Sequence, residues 1–262
     1  MKYFFVSDVH GQYDRLMTSL KAAQFDLNKD TIVSLGDPFD RGEKNYEVLQ
    51  FLMSCPNRIL VWGNHDHRLK RLITGIEAVR SADYHNGVLE TMQSFCKDNK
   101  NIRNIQLGIH LLKTDSDLEM RYRLLWQYFS ECIWGIEFKD MIAVHGWVPG
   151  IVYDLNGGKY EYILPPDWRE ISTAEDWYDA SWAHTADRIA QGLFPDKKLL
   201  IGHWHAWRLR YRSIAEVPEK INFGVYEANN YIAIDGCSNA ADGVVNVYVY
   251  ETDEAPKLFD IR

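Results

Sequence analysis

Residues 3–11 read Tyr3-Phe4-Phe5-Val6-Ser7-Asp8-Val9-His10-Gly11, a short apolar run that ends directly in a polar cluster with a glycine. An apolar run of this length, bounded by a glycine-containing turn, is typical of a β-strand that is buried on both faces. Asp8 and His10 lie two residues apart, so a loop at the end of the strand can aim both side chains in one direction. The stretch therefore predicts a strand that carries a carboxylate and an imidazole to one edge of a sheet.

The same arrangement recurs at four further places along the chain. Helical patterns lie between them, such as the spacing of Leu16, Leu20 and Ala23, and strands that alternate with helices indicate an α/β architecture. Functional sites in such sheets collect beyond the carboxyl ends of the strands, so we expect the five clusters to converge. The four further places are Thr31–Leu35 followed by Gly36-Asp37-Pro38-Phe39-Asp40-Arg41-Gly42, Arg58–Trp62 followed by Gly63-Asn64-His65-Asp66, Met141–Val144 followed by His145-Gly146, and Lys198–Ile201 followed by Gly202-His203-Trp204-His205.

The region 69–137 has a different, mostly helical character. Apolar residues recur there at helical spacing, and the patterns predict helices over Leu69–Val79, Leu89–Cys96 and Leu118–Glu131. We interpret this region as a helical insertion or cap that packs beside the sheet. Because no internal repeat or Pro/Gly-rich linker divides the sequence, we expect a single domain over residues 1–262.

The last third of the chain returns to strand character. Tyr231–Asp235 is a short apolar run, and Val244–Glu251 alternates apolar and polar residues after a glycine-containing turn. This pattern predicts an antiparallel pair of strands.

The composition restricts the classes of function. The chain has 262 residues, and its 29 basic against 37 acidic residues give a net charge of −8, which argues against a nucleic-acid partner. A phosphate substrate remains compatible, because bound divalent cations would reverse the local charge. The four cysteines lie far apart, which indicates isolated thiols. No apolar stretch approaches the roughly 18 residues that a membrane span needs, and the N-terminal run is too short for a signal peptide, so we expect a cytoplasmic protein without membrane contact.

Together the clusters offer the donors of a dinuclear metal centre. Two divalent metals about 3.5–4 Å apart need a bridging carboxylate and several oxygen and nitrogen ligands, and a mixed set of this kind suits Mn, Fe, Zn, Co or Ni. A lone Asp-x-His, or one histidine after a strand, is more often structural, and a carboxylate-rich solvated cleft is the plain alternative. Five such clusters, all at strand ends, favour metal. The candidate ligands are Asp8, His10, Asp37, Asn64, His145, His203 and His205.

The five clusters resemble the successive signatures of calcineurin-like metallophosphoesterases. The Asp40-Arg41-Gly42 and Gly63-Asn64-His65-Asp66 forms are similar to the phosphoprotein phosphatase branch, whose members include serine/threonine phosphatases and symmetrical diadenosine tetraphosphatases. The resemblance implies two mixed β-sheets that pack face to face and are flanked by helices. It also implies that Asp8, His10, Asp37 and His205 hold one metal and that Asp37, Asn64, His145 and His203 hold the other.

The resemblance further implies roles in hydrolysis. Arg41 would bind the substrate phosphate, His65 would act as general acid, and Asp40 would orient His65. A hydroxide that bridges the two metals would attack phosphorus directly, without a covalent phosphoenzyme. A second phosphate-binding residue is usual between the fourth and fifth motifs, and either His184 or Arg188 could serve there.

These observations favour a metal-dependent phosphatase that hydrolyses phosphate monoesters, either phosphoproteins or small phosphorylated compounds. The expected cofactors are two divalent transition-metal ions, with manganese placed first. One alternative is a hydrolase of dinucleoside polyphosphates, which shares the motifs of this branch. Another is a non-catalytic metal-binding scaffold, although the complete ligand set argues against it. A nuclease or cyclic-nucleotide phosphodiesterase is disfavoured by Arg41 and by the acidic balance of the chain.

Overall fold

The computed structural model describes residues 1–154, 160–214 and 216–261. Short strands alternate with helices along the chain. The strands are β1 (Lys2–Val6), β2 (Thr31–Ser34), β3 (Arg58–Leu60), β4 (Gly135–Glu137), β5 (Met141–Val144), β6 (Ile151–Asp154), β7 (Tyr160–Ile163), β8 (Lys198–Ile201), β9 (Tyr226–Glu227), β10 (Tyr231–Ala233), β11 (Tyr248–Glu251) and β12 (Lys257–Leu258). The helices are α1 (Tyr13–Ala22), α2 (Asn45–Ser54), α3 (Asn64–Thr74), α4 (Ser81–His85), α5 (Val88–Phe95), α6 (Ile105–Thr114), α7 (Glu119–Glu131), α8 (Trp168–Ile171), α9 (Ala174–Ser181), α10 (Thr185–Ala190) and α11 (Ala206–Tyr211), with a 3-10 turn at Ser116–Leu118.

Two mixed sheets form the centre of the fold. The first has the order β11–β1–β2–β3, in which β1, β2 and β3 are parallel and β11 is antiparallel to β1. The second has the order β12–β4–β5–β8–β10–β9, in which β5, β8 and β10 are parallel. Strands β6 and β7 form a separate antiparallel hairpin. The predicted α/β class with two mixed sheets and flanking helices is confirmed.

The two sheets pack face to face through alternate residues of their strands. Tyr3 and Phe5 point to one side of β1, where their rings lie 5.1 and 6.3 Å from the ring of Phe138, which follows β4. Phe4 points to the opposite side and meets the ring of Phe25 at 5.2 Å, beneath the helices. All three side chains of β1 are buried, and burial of each such side chain contributes about 1.5–3 kcal/mol. Burial on both faces explains why these strands are continuously apolar.

The region between β3 and β4 is mostly helical, as predicted, and contains α3 to α7. Helices α5 and α7 lie within about one residue of their expected bounds. Helix α3 begins five residues earlier than expected, because the residues of the third cluster form its first turn, where the Asp66 carboxylate accepts a hydrogen bond of 2.8 Å from the Gly63 amide. Helices α4 and α6 were not predicted. The interpretation of this region as a cap within a single domain stays a prediction.

The predicted antiparallel pair near the C-terminus is wrong. Strand β10 pairs in parallel with β8 and antiparallel with β9, whereas β11 lies in the other sheet beside β1. The apolar pattern identifies both strands but not their partners. Every residue of β10 is buried in the interior of its sheet, and β11 alternates between half-buried and exposed residues at a sheet edge.

The cysteines are free thiols, as their spacing predicted. Cys55, Cys96 and Cys132 are buried and Cys237 is half-buried. Burial raises the pKa of Cys55 and of Cys96 to about 11, so both thiols stay protonated and unreactive near neutral pH. Within the described ranges, none of the helices combines the length and apolar character needed to cross a bilayer.

Candidate active site

The five clusters converge at the carboxyl ends of the parallel strands. The loops after β1 and β2 are bonded together by their backbones, with Asp8 N donating to Gly36 O at 3.1 Å and His10 N donating to Asp37 O at 3.1 Å. The loops after β5 and β8 are joined in the same way, since Gly202 N donates to the His145 carbonyl at 2.8 Å. Parallel pairing therefore gathers the clusters of each sheet at one edge, and contacts between the two sheets bring together residues almost 200 positions apart, such as Asp8 and His203.

The Asp8 carboxylate joins the two sheets. Its Oδ2 atom accepts hydrogen bonds from Ser7 Oγ at 2.5 Å and from the His203 amide at 2.8 Å. Gly202 permits this close approach, because a Cβ atom at that position would lie 1.9 Å from Ser7 Oγ and 2.6 Å from Asp8 Oδ2. The Oδ1 atom of Asp8 faces His10, whose Nε2 atom lies 3.9 Å away. One carboxylate oxygen thus fixes the loops, and the other remains available to a cation.

The backbone is strained at the clusters. Ten described non-glycine residues have a positive φ, and six of them belong to the candidate site. Residues other than glycine seldom adopt this conformation, which costs about 1–3 kcal/mol per residue and persists only where surrounding contacts enforce it. Such strain at a site is typical of side chains that are held in position for function. The six residues are Asp8, His10, Asp37, Asp40, Arg41 and His203.

Two of the histidines are oriented by backbone carbonyls. His10 donates from Nδ1 to Phe39 O at 2.7 Å, and His145 donates from Nδ1 to Leu35 O at 2.7 Å. Because a carbonyl oxygen only accepts, Nδ1 carries the proton in each ring, and a neutral ring then offers its Nε2 lone pair to the interior of the site. A second hydrogen bond of this kind is the usual support of a metal-binding histidine.

The candidate donors form two groups that share Asp37. In each group the ligand atoms lie within 4.8 Å of one another; the first contains His10, Asp37 and His65, and the second contains Asp37, His145 and His203. His65, predicted as general acid, thus occupies the first group in place of the predicted ligand Asp8, whose Oδ1 atom lies 3.9 Å from His10 Nε2. The Asp37 Oδ2 atom is 3.3 Å from His145 Nε2, which is itself 2.8 Å from Asn64 Oδ1. Apart from His65, these oxygen and nitrogen donors would suit two first-row divalent metals, with Asp37 close enough to both groups to be shared.

Charges in this buried space strongly affect one another. Burial opposes the charged form of Asp37, but His145 and His65 beside it hold the pKa of that carboxyl well below its usual range. Burial would lower the pKa of His145, yet the Asp37 carboxylate overcomes this effect and raises it to about 10. In His203 burial prevails, and the pKa falls to about 3. Bound metal ions would take the place of the proton on His145, so metal binding would release protons.

His65 is held by a chain of hydrogen bonds that the helical region completes. Its Nδ1 atom lies 2.8 Å from Asp40 Oδ2, and the other oxygen of Asp40 accepts from Thr91 Oγ1 at 2.7 Å. The Thr91 hydroxyl in turn accepts from the Asp40 amide at 2.9 Å. Burial would lower the pKa of His65, but the Asp37 and Asp40 carboxylates outweigh burial and raise it. Thr91 belongs to α5, and no motif in the sequence marks it.

Arg41 lies against the first donor group. Its Nη1 atom is 2.7 Å from His10 Nε2, and its Nη2 atom is 3.2 Å from His65 Nε2. The guanidinium therefore donates into the same space as the candidate ligands, which leaves it within reach of a phosphate bound there.

His205 lies apart from both donor groups among the described residues. Its Nε2 atom faces Asp235 at 3.7 Å, and its Nδ1 atom is buried without a hydrogen-bond partner. Helix α11 begins at the next residue, and the His205 side chain makes no capping hydrogen bond to it. Asp235 is buried after β10, and burial beside Asp8 raises its pKa well above the usual range. No motif in the sequence marks Asp235, and the assignment of His205 to the first metal stays a prediction.

The two candidates for a second phosphate-binding residue lie in different surroundings. The Arg188 guanidinium is 3.6 Å from the centre of the buried Tyr162 ring in β7, and its Nε atom is buried without a hydrogen-bond partner among the described residues. His184 packs against Trp204 of the last motif, with ring centres 3.9 Å apart, and its Nδ1 atom is 3.1 Å from the Asp187 carboxylate. His184 is therefore the candidate that contacts a residue of the strand-end loops.

Several solved structures share the overall fold at low sequence identity. One is a protein provisionally named a diadenosine tetraphosphatase, with a TM-score of 0.53 and 16% identity over 98% of this chain and 93% of that chain. Another is the cold-active protein-tyrosine phosphatase of a psychrophile Shewanella species, with a TM-score of 0.51 and 16% identity over 99% of this chain and 80% of that one. Identity at this level is evidence for the fold alone.

Sequence relatives match a shorter segment more closely. A symmetrical bis(5'-nucleosyl)-tetraphosphatase of Buchnera aphidicola subsp. Baizongia pistaciae is 35% identical over 92 residues, which are 35% of this chain and 33% of that protein. The enzyme of the same name from Psychromonas ingrahamii is 39% identical over 84 residues, which are 32% of this chain and 30% of that protein. The chain thus matches about a third of the length of these relatives.

The family assignment rests on a longer match. The sequence profile described as calcineurin-like phosphoesterase matches residues 1–207, which include all five clusters. The same residues carry the shared carboxylate, the oriented histidines and the strained loops of the site. The chain therefore belongs to the calcineurin-like phosphoesterase family.

Proposed function

We propose that this chain is a dinuclear metal-dependent hydrolase that cleaves dinucleoside polyphosphates. The observation that carries the catalytic part of the proposal is the position of Asp37, whose carboxylate belongs to both donor groups. The substrate part is supported by the names of the sequence relatives, all symmetrical bis(5'-nucleosyl)-tetraphosphatases among those compared above. Because the match covers about a third of those proteins, we treat their substrate as a hypothesis for this chain.

The proposed metal ligands are Asp8, His10 and Asp37 on one side and Asp37, Asn64, His145 and His203 on the other, with His205 as the remaining candidate for the first side. Bound there, two divalent ions would polarise the phosphate and lower the pKa of an attacking water. Manganese remains the first expectation, and the donor set is equally suited to Fe, Zn, Co and Ni.

The protein's own groups would bind the phosphate and handle the proton of the leaving group. Arg41 presents two N–H groups beside the donor cluster, a geometry that matches two oxygens of one phosphate. His65, held by Asp40 at 2.8 Å, would donate a proton to the expelled oxygen. The carboxylate of Asp40 keeps the proton of Nδ1 in place, so the Nε2 proton is the one directed toward the cleft.

A second candidate function is hydrolysis of phosphate monoesters, on phosphoproteins or small phosphorylated compounds. The observation that favours it is the His65–Asp40–Thr91 chain, because an alkoxide leaving group needs a proton far more than a nucleotide leaving group does. The two candidates differ in leaving group and share the rest of the site.

The two candidates can be separated by kinetics on metal-reconstituted protein. The panel contains diadenosine tetraphosphate, phosphoserine, phosphothreonine and phosphotyrosine peptides, and p-nitrophenyl phosphate. A kcat/KM for diadenosine tetraphosphate that is far above every other value would support the first candidate, and the reverse order would support the second. Absence of turnover on all substrates, with two manganese ions bound per chain, would favour a non-catalytic scaffold.

A further inference from the structure

Trp182 is an exposed aromatic residue beside the buried His65. Its side chain retains 41% of its full exposure, although it directly follows α9 and lies at the edge of the candidate site. The indole and the His65 imidazole are close to parallel, with an angle of 24° and ring centres 6.3 Å apart. An indole left open to solvent at the edge of a cleft is an apolar, flat surface that a ligand can cover.

The position of Trp182 is fixed relative to the donor groups. Helix α9 ends against the loop after β5, where Trp147 N donates to Ala180 O at 3.1 Å. Gly146 follows the candidate ligand His145, and a Cβ atom at Gly146 would lie only 2.6 Å from the Ser181 carbonyl oxygen. Close backbone contact of this kind leaves little freedom for the residue that follows Ser181.

Neighbouring aromatic residues support one edge of the indole. The Tyr178 ring meets it at 89°, with centres 6.3 Å apart, and contacts His67 at 4.6 Å on its other side. The Arg71 guanidinium lies 5.1 Å from the centre of the Tyr178 ring. The indole therefore has ring neighbours on two sides, Tyr178 and His65, and still remains 41% exposed.

We propose that Trp182 forms an aromatic subsite that stacks on a flat ring of the group expelled from the substrate. The inference rests on the proposed function, because His65 is the residue expected to protonate the leaving group. A substrate part bound next to His65 thus belongs to the product that leaves first. The matching chemistry is a purine base carried by a nucleotide, or the ring of an aryl ester. Two residues further on, His184 contacts Trp204, so residues 182–184 extend along the edge of the site from the third cluster to the last.

The test compares Trp182→Ala with Trp182→Phe, which keeps a flat ring. Stacking of a base on an aromatic side chain is strong enough that its loss lowers affinity about tenfold or more. We expect Trp182→Ala to lower kcat/KM about tenfold on diadenosine tetraphosphate or on p-nitrophenyl phosphate and phosphotyrosine peptide. The value for glycerol phosphate, which has no ring, should stay within about twofold, and Trp182→Phe should recover most of the loss.

A binding measurement removes the dependence on turnover. Calorimetry on the manganese-loaded protein compares ADP with pyrophosphate, which lacks the base. We expect Trp182→Ala to weaken the binding of ADP about tenfold and to leave the affinity for pyrophosphate unchanged. Melting temperatures of the three proteins show whether the variant has lost structure as well.

The outcomes separate the subsite from the proposed function. A loss confined to nucleotides identifies the base as the ring, and a loss confined to p-nitrophenyl phosphate and phosphotyrosine identifies an aryl ester. The wild-type protein could fail to hydrolyse diadenosine tetraphosphate while Trp182→Ala lowers kcat/KM on aryl phosphates and not on alkyl phosphates. In that case the substrate proposal fails and the subsite stands. An equal loss on glycerol phosphate, or no loss on any ring-bearing compound, would overturn the subsite.

Discussion

The candidate active site at the strand ends (the strand-end site) and the helical region α3–α7 both contain buried charged side chains. The two regions differ in how these charges are balanced. In the helical region Arg68 donates to both oxygens of Asp83, at 3.0 and 2.9 Å, and also binds Glu77. In the strand-end site Asp8 and Asp37 are buried among imidazoles, and no lysine takes part in the described hydrogen bonds of these two carboxylates.

The difference is informative because an isolated buried charge is costly. A buried ion that finds its counter-ion within the chain serves the fold, as Arg68 does. The positive charge beside Asp37 is instead a proton on His145, which a bound metal ion could replace. We therefore expect different responses to mutation. Substitutions in the strand-end site should remove activity without unfolding the protein, and substitutions in the helical region should lower stability without removing activity.

Asp37→Asn should have the largest effect. The substitution keeps the size of the side chain but removes the shared negative charge, so we expect less than two metal ions per chain. Removing a metal's contribution to a phosphoryl transition state corresponds to a loss of about 10³-fold or more in kcat. Metal content by elemental analysis and kcat on the best substrate are the two measurements.

A matched control lies at the other end of the same strand. Asp30 is also a buried carboxylate, directly before β2, and it accepts a hydrogen bond from the Asp26 amide at 2.8 Å. Asp30→Asn should retain both metals and nearly full activity. Equal metal content and activity in the Asp37→Asn and Asp30→Asn proteins would remove the distinction between the two kinds of buried carboxylate.

His65→Ala should have the next largest effect, and its size should depend on the leaving group. Loss of a general acid typically costs about 10²–10⁴-fold, so we expect a loss of this size on alkyl phosphates and a much smaller one on p-nitrophenyl phosphate. Metal content should be retained. His85→Ala in α4 is the control, since the described contact of that ring is with the Ser81 carbonyl of its own helix. A uniform loss across leaving groups would argue that His65 supports the site without donating a proton.

The sequence predicts well those parts of the site that are built from local runs. Each short apolar strand followed by a polar cluster is recognisable by itself. Parallel pairing then places Asp8 beside Asp37 in one sheet and His145 beside His203 in the other. Thr91 and Asp235 could not be found in this way, because each comes from an element without a motif and reaches the site through tertiary packing. The neighbour of His205 could not be found either, because its ring faces Asp235 from the end of β10.

In the helical region, Arg68→Met should destabilise the protein and leave its catalytic activity nearly unchanged. Removing one partner of a buried ion pair typically costs about 3–5 kcal/mol, because the remaining charge stays buried without compensation. Metal content should be unchanged, and kcat should stay within a few-fold. Arg123→Met is the matched control: its pair with Glu119 is exposed and lies on one helix face, so its loss should cost about 0.3–0.5 kcal/mol. Urea unfolding measures both values.

The same pair has a defined dependence on pH. Burial opposes the charged form of Asp83, but hydrogen bonds from Arg68 overcome it and hold the pKa of that carboxyl below its usual range. The contribution of the pair is therefore complete above the unfolded pKa of about 3.9 and is lost as the pH falls through the lower, folded pKa. The stability gap between wild type and Asp83→Asn should narrow only in that acidic range. A gap that narrows near neutral pH would point to a different group.

The smallest effect concerns the contact through which the helical region supports the site. Tyr128 of α7 donates to Asp66 Oδ2 at 2.7 Å, and Asp66 Oδ1 accepts from the Gly63 amide that precedes the candidate ligand Asn64. Tyr128→Phe removes one hydrogen bond to a buried carboxylate. We expect a loss of roughly 1–3 kcal/mol in unfolding free energy, since the oxygen left behind remains buried.

Because the Gly63 hydrogen bond survives in Tyr128→Phe, Asn64 should keep its place, and metal content should equal that of the wild type. Tyr122→Phe on the same helix is the control; its hydroxyl takes part in no hydrogen bond among the described residues, so its removal should cost little. If Tyr128→Phe lowers metal affinity more than it lowers stability, the helical region acts on the metal site directly. In that case the helical region would contribute to metal binding as well as to stability, and the distinction between the two regions would not apply to this contact.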